Sequence, residues 1–181
     1  MKILIDKVKN TSNITSTSAA TGYAVTNIHT DKKGNTWKST SNAEQTISIT
    51  FANAIDVDTV ALIHNNFNTT TNVRIKYFTT AGNVTAAYDS ENVAHGFCFD
   101  PPSSFSTNSG NSFPYGGGNN FVNQSKQFNV EKITITLSSD TPDGFYEVAR
   151  VVAGKVVELD YDTDGVGVDY EDDSDVTRLE S

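Results

Sequence analysis

Apolar and polar residues alternate along much of the chain, which is the pattern of strands that bury one face. Ile47, Ile49 and Phe51, for example, alternate with threonine and serine. A nearly continuous apolar run at 57–64 is typical of a strand buried on both faces. No long amphipathic helix is predicted. Strands are predicted in six segments: 2–6, 45–51, 57–64, 73–77, 133–137 and 145–157, the last broken at Gly154.

Short strands separated by Asn, Gly and Thr clusters predict an all-β fold, an antiparallel β-sandwich with long loops. Two segments, 10–35 and 100–127, lack strand signals. Loops of this length are uncommon in compact domains unless they are functional or mobile. Aromatic residues in the second segment either pack back on the sandwich or contact a partner protein, and both interpretations stay open. The partner-contact candidates are Phe105, Phe113, Tyr115 and Phe121.

The acidic residues are concentrated at the C-terminus. The chain carries a net charge of −9, and residues 160–181 contribute −8 of it through nine acidic residues and one basic residue. We therefore predict a sandwich domain at 1–159 and an acidic C-terminal extension or linker at 160–181. A nearly neutral body has no basic footprint for nucleic acid. No apolar segment is long enough for membrane insertion or a signal peptide, which predicts synthesis in a cytoplasm.

Candidate catalytic groups are few. Cys98 lies between Phe97 and Phe99, an apolar setting in which a thiol is inert, and a pair with His95 would be a weak nucleophile–base candidate. The motifs of serine hydrolases, zinc proteases, phosphate-binding loops and dinucleotide-binding folds do not occur. The carboxylates of the body are scattered and suggest no glycosidase pair. The sequence predicts a protein that is not an enzyme.

The acidic segment DYDTDGVGVDYE, residues 160–171, matches a calcium-loop pattern at every specified position. Gly167 at position 8 and the strand-like flank at 155–159 argue against a helix–loop–helix hand. Two interpretations stay open, a calcium-binding turn and an acidic linker, and the sequence favours the linker. Apart from calcium, no cofactor is predicted. The candidate calcium ligands are Asp160, Asp162, Asp164, the carbonyl of Val166 and Glu171.

Several segments follow one another in a characteristic order. They are GYAVTNIHTDKKGNTWKST (22–40), AEQTISITF (43–51), AIDVDTVALIHNN (54–66), NVRIKYFTTAG (72–82), EKITITL (131–137) and YEVARVVAG (146–154). This order resembles the discoidin, or coagulation-factor type C, pattern of galactose-binding-like jelly rolls over residues 20–155. Trp37 follows a turn signal, and we expect it to close one end of the sandwich with its indole N–H bonded to a loop carbonyl.

A narrower resemblance rests on the end of the chain. Arg150-Val151-Val152-Ala153-Gly154, followed by DDSDVTR at 172–178, is similar to type-C-like proteins of tailed-bacteriophage structural gene clusters. The resemblance implies a non-enzymatic virion component of the tail or tail tip, whose partners are other virion proteins and copies of itself. Its position in a particle, its copy number and the host stay open.

Carbohydrate contact is the second function that the resemblance suggests. A virion protein could expose a glycan-binding end to a host surface, and the alternative is a stand-alone carbohydrate-binding module. Galactose-binding-like domains use loops at one end of the sandwich for this purpose. Each polar candidate could instead simply satisfy a turn backbone. The candidates are Asn27, His29 and Lys38 in the first loop and His64, Asn65 and Asn66 after the buried strand.

Overall fold

In the residues that the structure describes, the protein is an antiparallel β-sandwich with almost no helix. The computed structural model describes residues 2–10, 13–30, 32, 34–67, 71–90, 93–94, 118–138 and 144–158. In these ranges the strands are β1 (Lys2–Asp6), β2 (Asn13–Ser16), β3 (Trp37–Lys38), β4 (Gln45–Asn65), β5 (Asn72–Phe78), β6 (Tyr88–Asp89), β7 (Val93–Ala94), β8 (Gly118–Ser138) and β9 (Glu147–Glu158). Two short 3₁₀ helices lie at Val8–Asn10 and Val25–His29.

Two long strands, β4 and β8, join the layers of the sandwich. The first part of β4 pairs with β2 on one side and with the end of β8 on the other, and β8 continues the sheet to β5. The last part of β4 pairs instead with β9 and with the start of β8, and β9 pairs with β1. The β4–β8 ladder shifts register between Thr50 and Ile55, where the ribbon passes from one layer to the other.

The side chains of both layers meet in one hydrophobic core. Ile47, Ile49 and Phe51 are buried while the intervening residues are half-buried, so the predicted alternation is confirmed. The apolar run after Val57 is also confirmed as a buried strand, because both Ala61 and Leu62 are almost fully buried although they point to opposite faces. The six predicted strands therefore correspond to parts of the observed sandwich.

Trp37 closes the end of the core as expected. Its ring is fully buried, and its indole nitrogen donates a 2.9 Å hydrogen bond to the carbonyl oxygen of Ser18. Buried Trp needs such a partner because an unpaired N–H in the core is costly. The bond ties the loop after β2 to β3.

Three expectations about strand limits were wrong. The segment 10–35 contains β2, which pairs with β4, and the end of the segment 100–127 belongs to β8. The segment 145–157 is not broken at Gly154, because β9 runs through it to Glu158. Gly154 instead allows β1 to approach closely, since a Cβ at this position would collide with the carbonyl oxygen of Ile5. Among the described residues, no helix is long and apolar enough to cross a membrane.

Candidate functional site

The candidate site lies where β9 begins, at the end of the sandwich remote from the start of β1. Lys38 of β3 pairs with Glu147, the first residue of β9, and Asn65 at the end of β4 pairs with Val148. The other end of β9 pairs with Lys2. At the usual rise per residue of a strand, β9 separates the two ends by roughly 35 Å. The pairings bring three parts of the chain together at this end of the sandwich: β3, the end of β4 and the start of β9.

The centre of the site is the ammonium group of Lys38. Its Nζ lies 4.2 Å from the centroid of the Phe145 ring and 4.6 Å from that of the Tyr23 ring. The same atom lies 3.4 Å from Oε2 of Glu147. The ammonium thus contacts two aromatic faces and a carboxylate, all of which attract a cation. We call Tyr23, Thr36, Lys38, Phe145 and Glu147 the Lys38 cluster.

The cluster is accessible to solvent at its rim. Tyr23 is 38% exposed, which makes it one of the few large apolar side chains of the described residues at the surface. The side chains of Lys38 and Glu147 are 23% and 28% exposed, and Phe145 is half-buried. A ligand could therefore reach the edges of both rings and the polar groups between them.

Hydrogen bonds hold Glu147 in one orientation. Thr36 donates from its hydroxyl to Oε1 of Glu147 at 2.7 Å, while Oε2 faces Lys38. Asn27 in turn donates from Nδ2 to the carbonyl oxygen of Thr36 at 2.9 Å. Both carboxylate oxygens therefore have partners, and the 3₁₀ helix that carries Asn27 is bonded to the Thr36 backbone beside the site.

Asn66, directly after β4, holds the segment that carries Phe145. Its Nδ2 donates to the carbonyl oxygen of Phe145 at 2.8 Å, and its Oδ1 accepts from the backbone N–H of Glu147 at 2.8 Å. Its own backbone N–H donates to the carbonyl oxygen of Glu147 at 3.3 Å. These three bonds connect the end of β4 to the start of β9 on either side of Tyr146.

A glycine in the left-handed region precedes each of the two aromatic residues. Gly22, before Tyr23, has a φ of 85°, and Gly144, before Phe145, has a φ of 70°. Residues with a Cβ adopt this conformation only at a cost of about 1 kcal/mol or more, so the turns favour glycine. The carbonyl oxygen of Tyr23 also accepts from the backbone N–H of Lys38, which attaches the Tyr23 loop to β3.

The structure places the six predicted glycan-binding residues in different roles, and that of Asn66 is to hold the segment that carries Phe145. Lys38 is central, and Asn27 supports the cluster through Thr36. His29 ends a 3₁₀ helix, and its Nδ1 is buried with no hydrogen-bond partner among the described residues. His64 is exposed with a φ of 50°, and Asn65 is buried with its amide bonded to the carbonyl of Leu62 and the N–H of Phe67.

Sequence reasoning missed four of the five cluster residues, namely Tyr23, Thr36, Phe145 and Glu147. Three of them lie next to a recognisable signal: the two aromatic residues follow glycines in turns, and Glu147 opens the closing strand. What the sequence did not indicate is that Lys38 and Glu147 face each other across the β3–β9 pair. Like-facing side chains on paired strands interact directly, and here they carry opposite charges.

The other predicted contacts lie outside the described residues. These are Phe105, Phe113 and Tyr115, and the calcium candidates Asp160, Asp162, Asp164, Val166 and Glu171. Phe121 lies in β8, where its backbone pairs with Ala61, and its side chain is outside the description. Within the part of the chain that the structure describes, no group of three or more His, Cys, Asp or Glu side chains could hold a metal ion.

The geometry defines a β-sandwich with an aromatic, polar site among its end loops, and several solved structures that resemble this chain are carbohydrate-binding modules. No protein-family profile matches the sequence, and no curated protein matches it. A family 32 module from Clostridium perfringens in complex with galactose has a TM-score of 0.58 at 14% identity, over 87% of this chain and all of that module. A second module from that organism, in complex with GalNAc-β-1,3-galactose, has a TM-score of 0.59 at 9% identity, over 83% and 100%.

Two further structures show how this fold occurs in other proteins. A chitosan-binding module of a Paenibacillus chitosanase/glucanase has a TM-score of 0.57 at 12% identity, over 83% of this chain and 99% of the module. A fucosidase from Ruminococcus gnavus has a TM-score of 0.50 at 13% identity, and the match covers 84% of this chain but 26% of the enzyme. The likeness establishes the jelly-roll β-sandwich fold of this chain.

Proposed function

We propose that this protein is a non-catalytic carbohydrate-binding module that holds a sugar against Tyr23 and Phe145. The observation that carries the proposal is the Lys38 cluster, in which two accessible aromatic rings and polar groups converge among the loops at one end of the sandwich. Sugar-binding sites combine aromatic faces, which contact the apolar C–H face of the ring, with a few placed hydrogen-bonding groups.

The similar structures support a carbohydrate ligand. Their ligands or names include galactose, GalNAc-β-1,3-galactose and chitosan, so a module of this architecture can carry sites for different sugars. The cluster itself offers one carboxylate, Glu147, which is already bonded to Thr36 and Lys38. Hydrolysis of a glycosidic bond needs two carboxylates across a cleft, and this cluster does not provide a second.

The proposal is tested by screening the purified protein on a glycan array and measuring the best ligand by calorimetry. Tyr23→Ala and Phe145→Ala should each weaken binding about tenfold, because each removes one aromatic ring whose accessible edge the sugar contacts. Val84→Ala is the matched control, since Val84 is 98% exposed in the turn between β5 and β6. Loss of affinity in the control alone, or unchanged affinity in both ring variants, would place the sugar elsewhere.

The bacteriophage virion assignment stays a prediction from the sequence resemblance. Nothing in the described residues or in the structures named above bears on it, nor on the predicted partners, other virion proteins and further copies of this chain. A virion subunit that also exposes a glycan-binding end would combine both functions. The assembly role is tested separately from sugar binding. The oligomeric state of the isolated protein is measured in solution, and a particle that contains the protein is imaged by cryo-microscopy.

The calcium-binding turn at 160–171 also stays a prediction. Calorimetric titration of calcium into chelator-treated protein, repeated with Asp162→Ala, tests it directly. A hard-oxygen site of this kind should lose most of its affinity when one carboxylate ligand is removed. Flat traces for both proteins would favour the acidic linker.

A further inference from the structure

The surroundings of Lys38 have the composition of a binding site for an ammonium ion. Two ring centroids lie at 4.2 and 4.6 Å from its Nζ, within the range of cation–π attraction, and a carboxylate oxygen lies at 3.4 Å. Aromatic cages of this composition are a known means of recognising ammonium ligands. Here the protein fills the cage with a side chain of its own.

The backbone that carries this cage is held in place independently of the Lys38 side chain. Asn66 bonds to the backbone of Phe145 and of Glu147, and Thr36 bonds to the Glu147 carboxylate itself. Tyr23 is attached through backbone hydrogen bonds, one of them to the backbone, not the side chain, of Lys38. Removal of the lysine ammonium therefore leaves intact the backbone bonds that position the two aromatic residues and the Thr36 bond that orients the carboxylate.

We propose that Tyr23, Phe145 and Glu147 form an ammonium cage that Lys38 occupies as a built-in ligand, and that Lys38 is thereby the residue that excludes cationic amino sugars. With Lys38 in the cage, the cluster pairs one positive and one negative charge and suits neutral sugars. Without it, the negative, aromatic-lined cage takes a sugar that carries an ammonium group, such as a glucosamine unit. The exclusion of amino sugars rests on the proposed function, whereas the ammonium cage does not depend on sugar binding.

A tethered ammonium excludes free competitors by mass action. A group linked to its own site acts at an effective concentration in the millimolar range or above. Free amino sugars below that concentration therefore do not displace Lys38. Replacement of the side chain removes this competition and alters none of the three residues that form the cage.

The experiment measures binding of three small probes to the wild type and to Lys38→Ala. The probes are glucosamine, its uncharged counterpart N-acetylglucosamine, and methylammonium, each followed by NMR shifts of the cluster residues at neutral pH. Lys38→Ala should bind glucosamine at least about tenfold more tightly than the wild type does, and prefer it to N-acetylglucosamine. Methylammonium should bind to the variant as well. The double variant Lys38→Ala/Glu147→Gln should lose this binding, because its cage lacks the anion.

Equal binding of glucosamine to wild type and to folded Lys38→Ala, or equal binding of glucosamine and N-acetylglucosamine to that variant, would overturn the inference. If the variant does not fold, the wild type still provides a test. Ring currents of Tyr23 and Phe145 should shift the Lys38 methylene resonances upfield, and molar methylammonium should return them towards the values of a free lysine. Resonances that stay in place at saturating methylammonium would refute displacement from the cage.

The result is separable from that of the proposed function. Wild-type protein that binds no glycan, together with a Lys38→Ala variant that binds glucosamine and methylammonium, would refute the proposed function and support the cage. If the wild type binds a neutral glycan and the Lys38→Ala variant gains no cation binding, the proposed function is supported and the cage is refuted.

Discussion

Replacement of Asn66 by alanine tests how the site is held together. Asn66 lies directly after β4, and its side chain bonds to the backbone on both sides of Tyr146, at Phe145 and Glu147. The change removes both of these hydrogen bonds and leaves the backbone of Asn66 intact. It therefore loosens the start of β9 without altering a residue of the Lys38 cluster.

The expected cost follows from the two lost bonds. A neutral hydrogen bond contributes about 1 kcal/mol net, and a partner left without a bond in a half-buried position costs somewhat more. Asn66→Ala should therefore lower the free energy of unfolding by about 1–3 kcal/mol. It should also weaken ligand binding at the Lys38 cluster, because Phe145 and Glu147 lose their common anchor.

Asn66→Asp separates the two bonds. The aspartate still accepts from the N–H of Glu147, but at neutral pH its second oxygen faces the carbonyl oxygen of Phe145, which repels it. Below the ordinary aspartate pKa of about 4 the protonated carboxyl can donate to that carbonyl. The deficit of Asn66→Asp relative to wild type should therefore be larger at neutral pH and smaller near pH 3, where the other carboxyl groups affect both proteins alike.

Urea unfolding of wild type and variants at both pH values provides the measurement. Asn35→Ala and Asn35→Asp serve as matched controls, since Asn35 is exposed in the loop before β3 and should change stability by less than about 0.5 kcal/mol. If Asn66→Ala costs no more than Asn35→Ala, the Asn66 bonds do not stabilise the start of β9. An Asn66→Asp deficit that stays constant with pH would contradict the proposed repulsion.

Three further predictions concern the core. Trp37→Phe removes the indole bond to Ser18 and should lower the free energy of unfolding, measured in urea, by about 2 kcal/mol. An unchanged urea midpoint would contradict this prediction. Gly154→Ala should cost about 1–3 kcal/mol and speed hydrogen exchange in β1, because its Cβ meets the Ile5 carbonyl. Burial raises the pKa of Tyr77 above its ordinary value of 10.0, so this buried phenol stays neutral in the fold while it ionises in the unfolded chain. The contribution of this group to the free energy of unfolding is therefore present below about pH 10 and falls as the pH rises above it. Between about pH 10 and 12 the free energy of unfolding should fall less for Tyr77→Phe than for the wild type. Equal falls for the two proteins would contradict this prediction.

Much of the fold could be predicted because strand burial is a local property of the sequence. Alternation at 45–51, 73–77 and 133–137 indicated which face of each strand is buried, and the structure confirms these faces. The indole bond of Trp37 could be expected because a buried N–H needs an acceptor. β2 was missed because its segment, Asn13–Ser16, contains one buried apolar residue, Ile14, among polar ones, so the period-two signal is too short to detect.

The site could be predicted only in part. Lys38 was chosen as a polar loop residue, and its two ring contacts were not foreseen. Tyr23 and Phe145 lie far apart in sequence, and neither has a local pattern that separates a ligand platform from a core residue. Asn65 illustrates the opposite case, since burial and bonds to Leu62 and Phe67 occupy the side chain that the sequence offered to a ligand.

The sequence by itself determined the class of fold, the buried faces of the main strands and the neutral body with an acidic C-terminal segment, because these depend on residue type and short-range periodicity. The tertiary structure alone decided which side chains share a site. Thr36 and Glu147 are 111 positions apart, and they meet because β3 pairs with the start of β9. Such long-range register depends on how two strands pack in the whole sandwich, and no local segment of the chain encodes it.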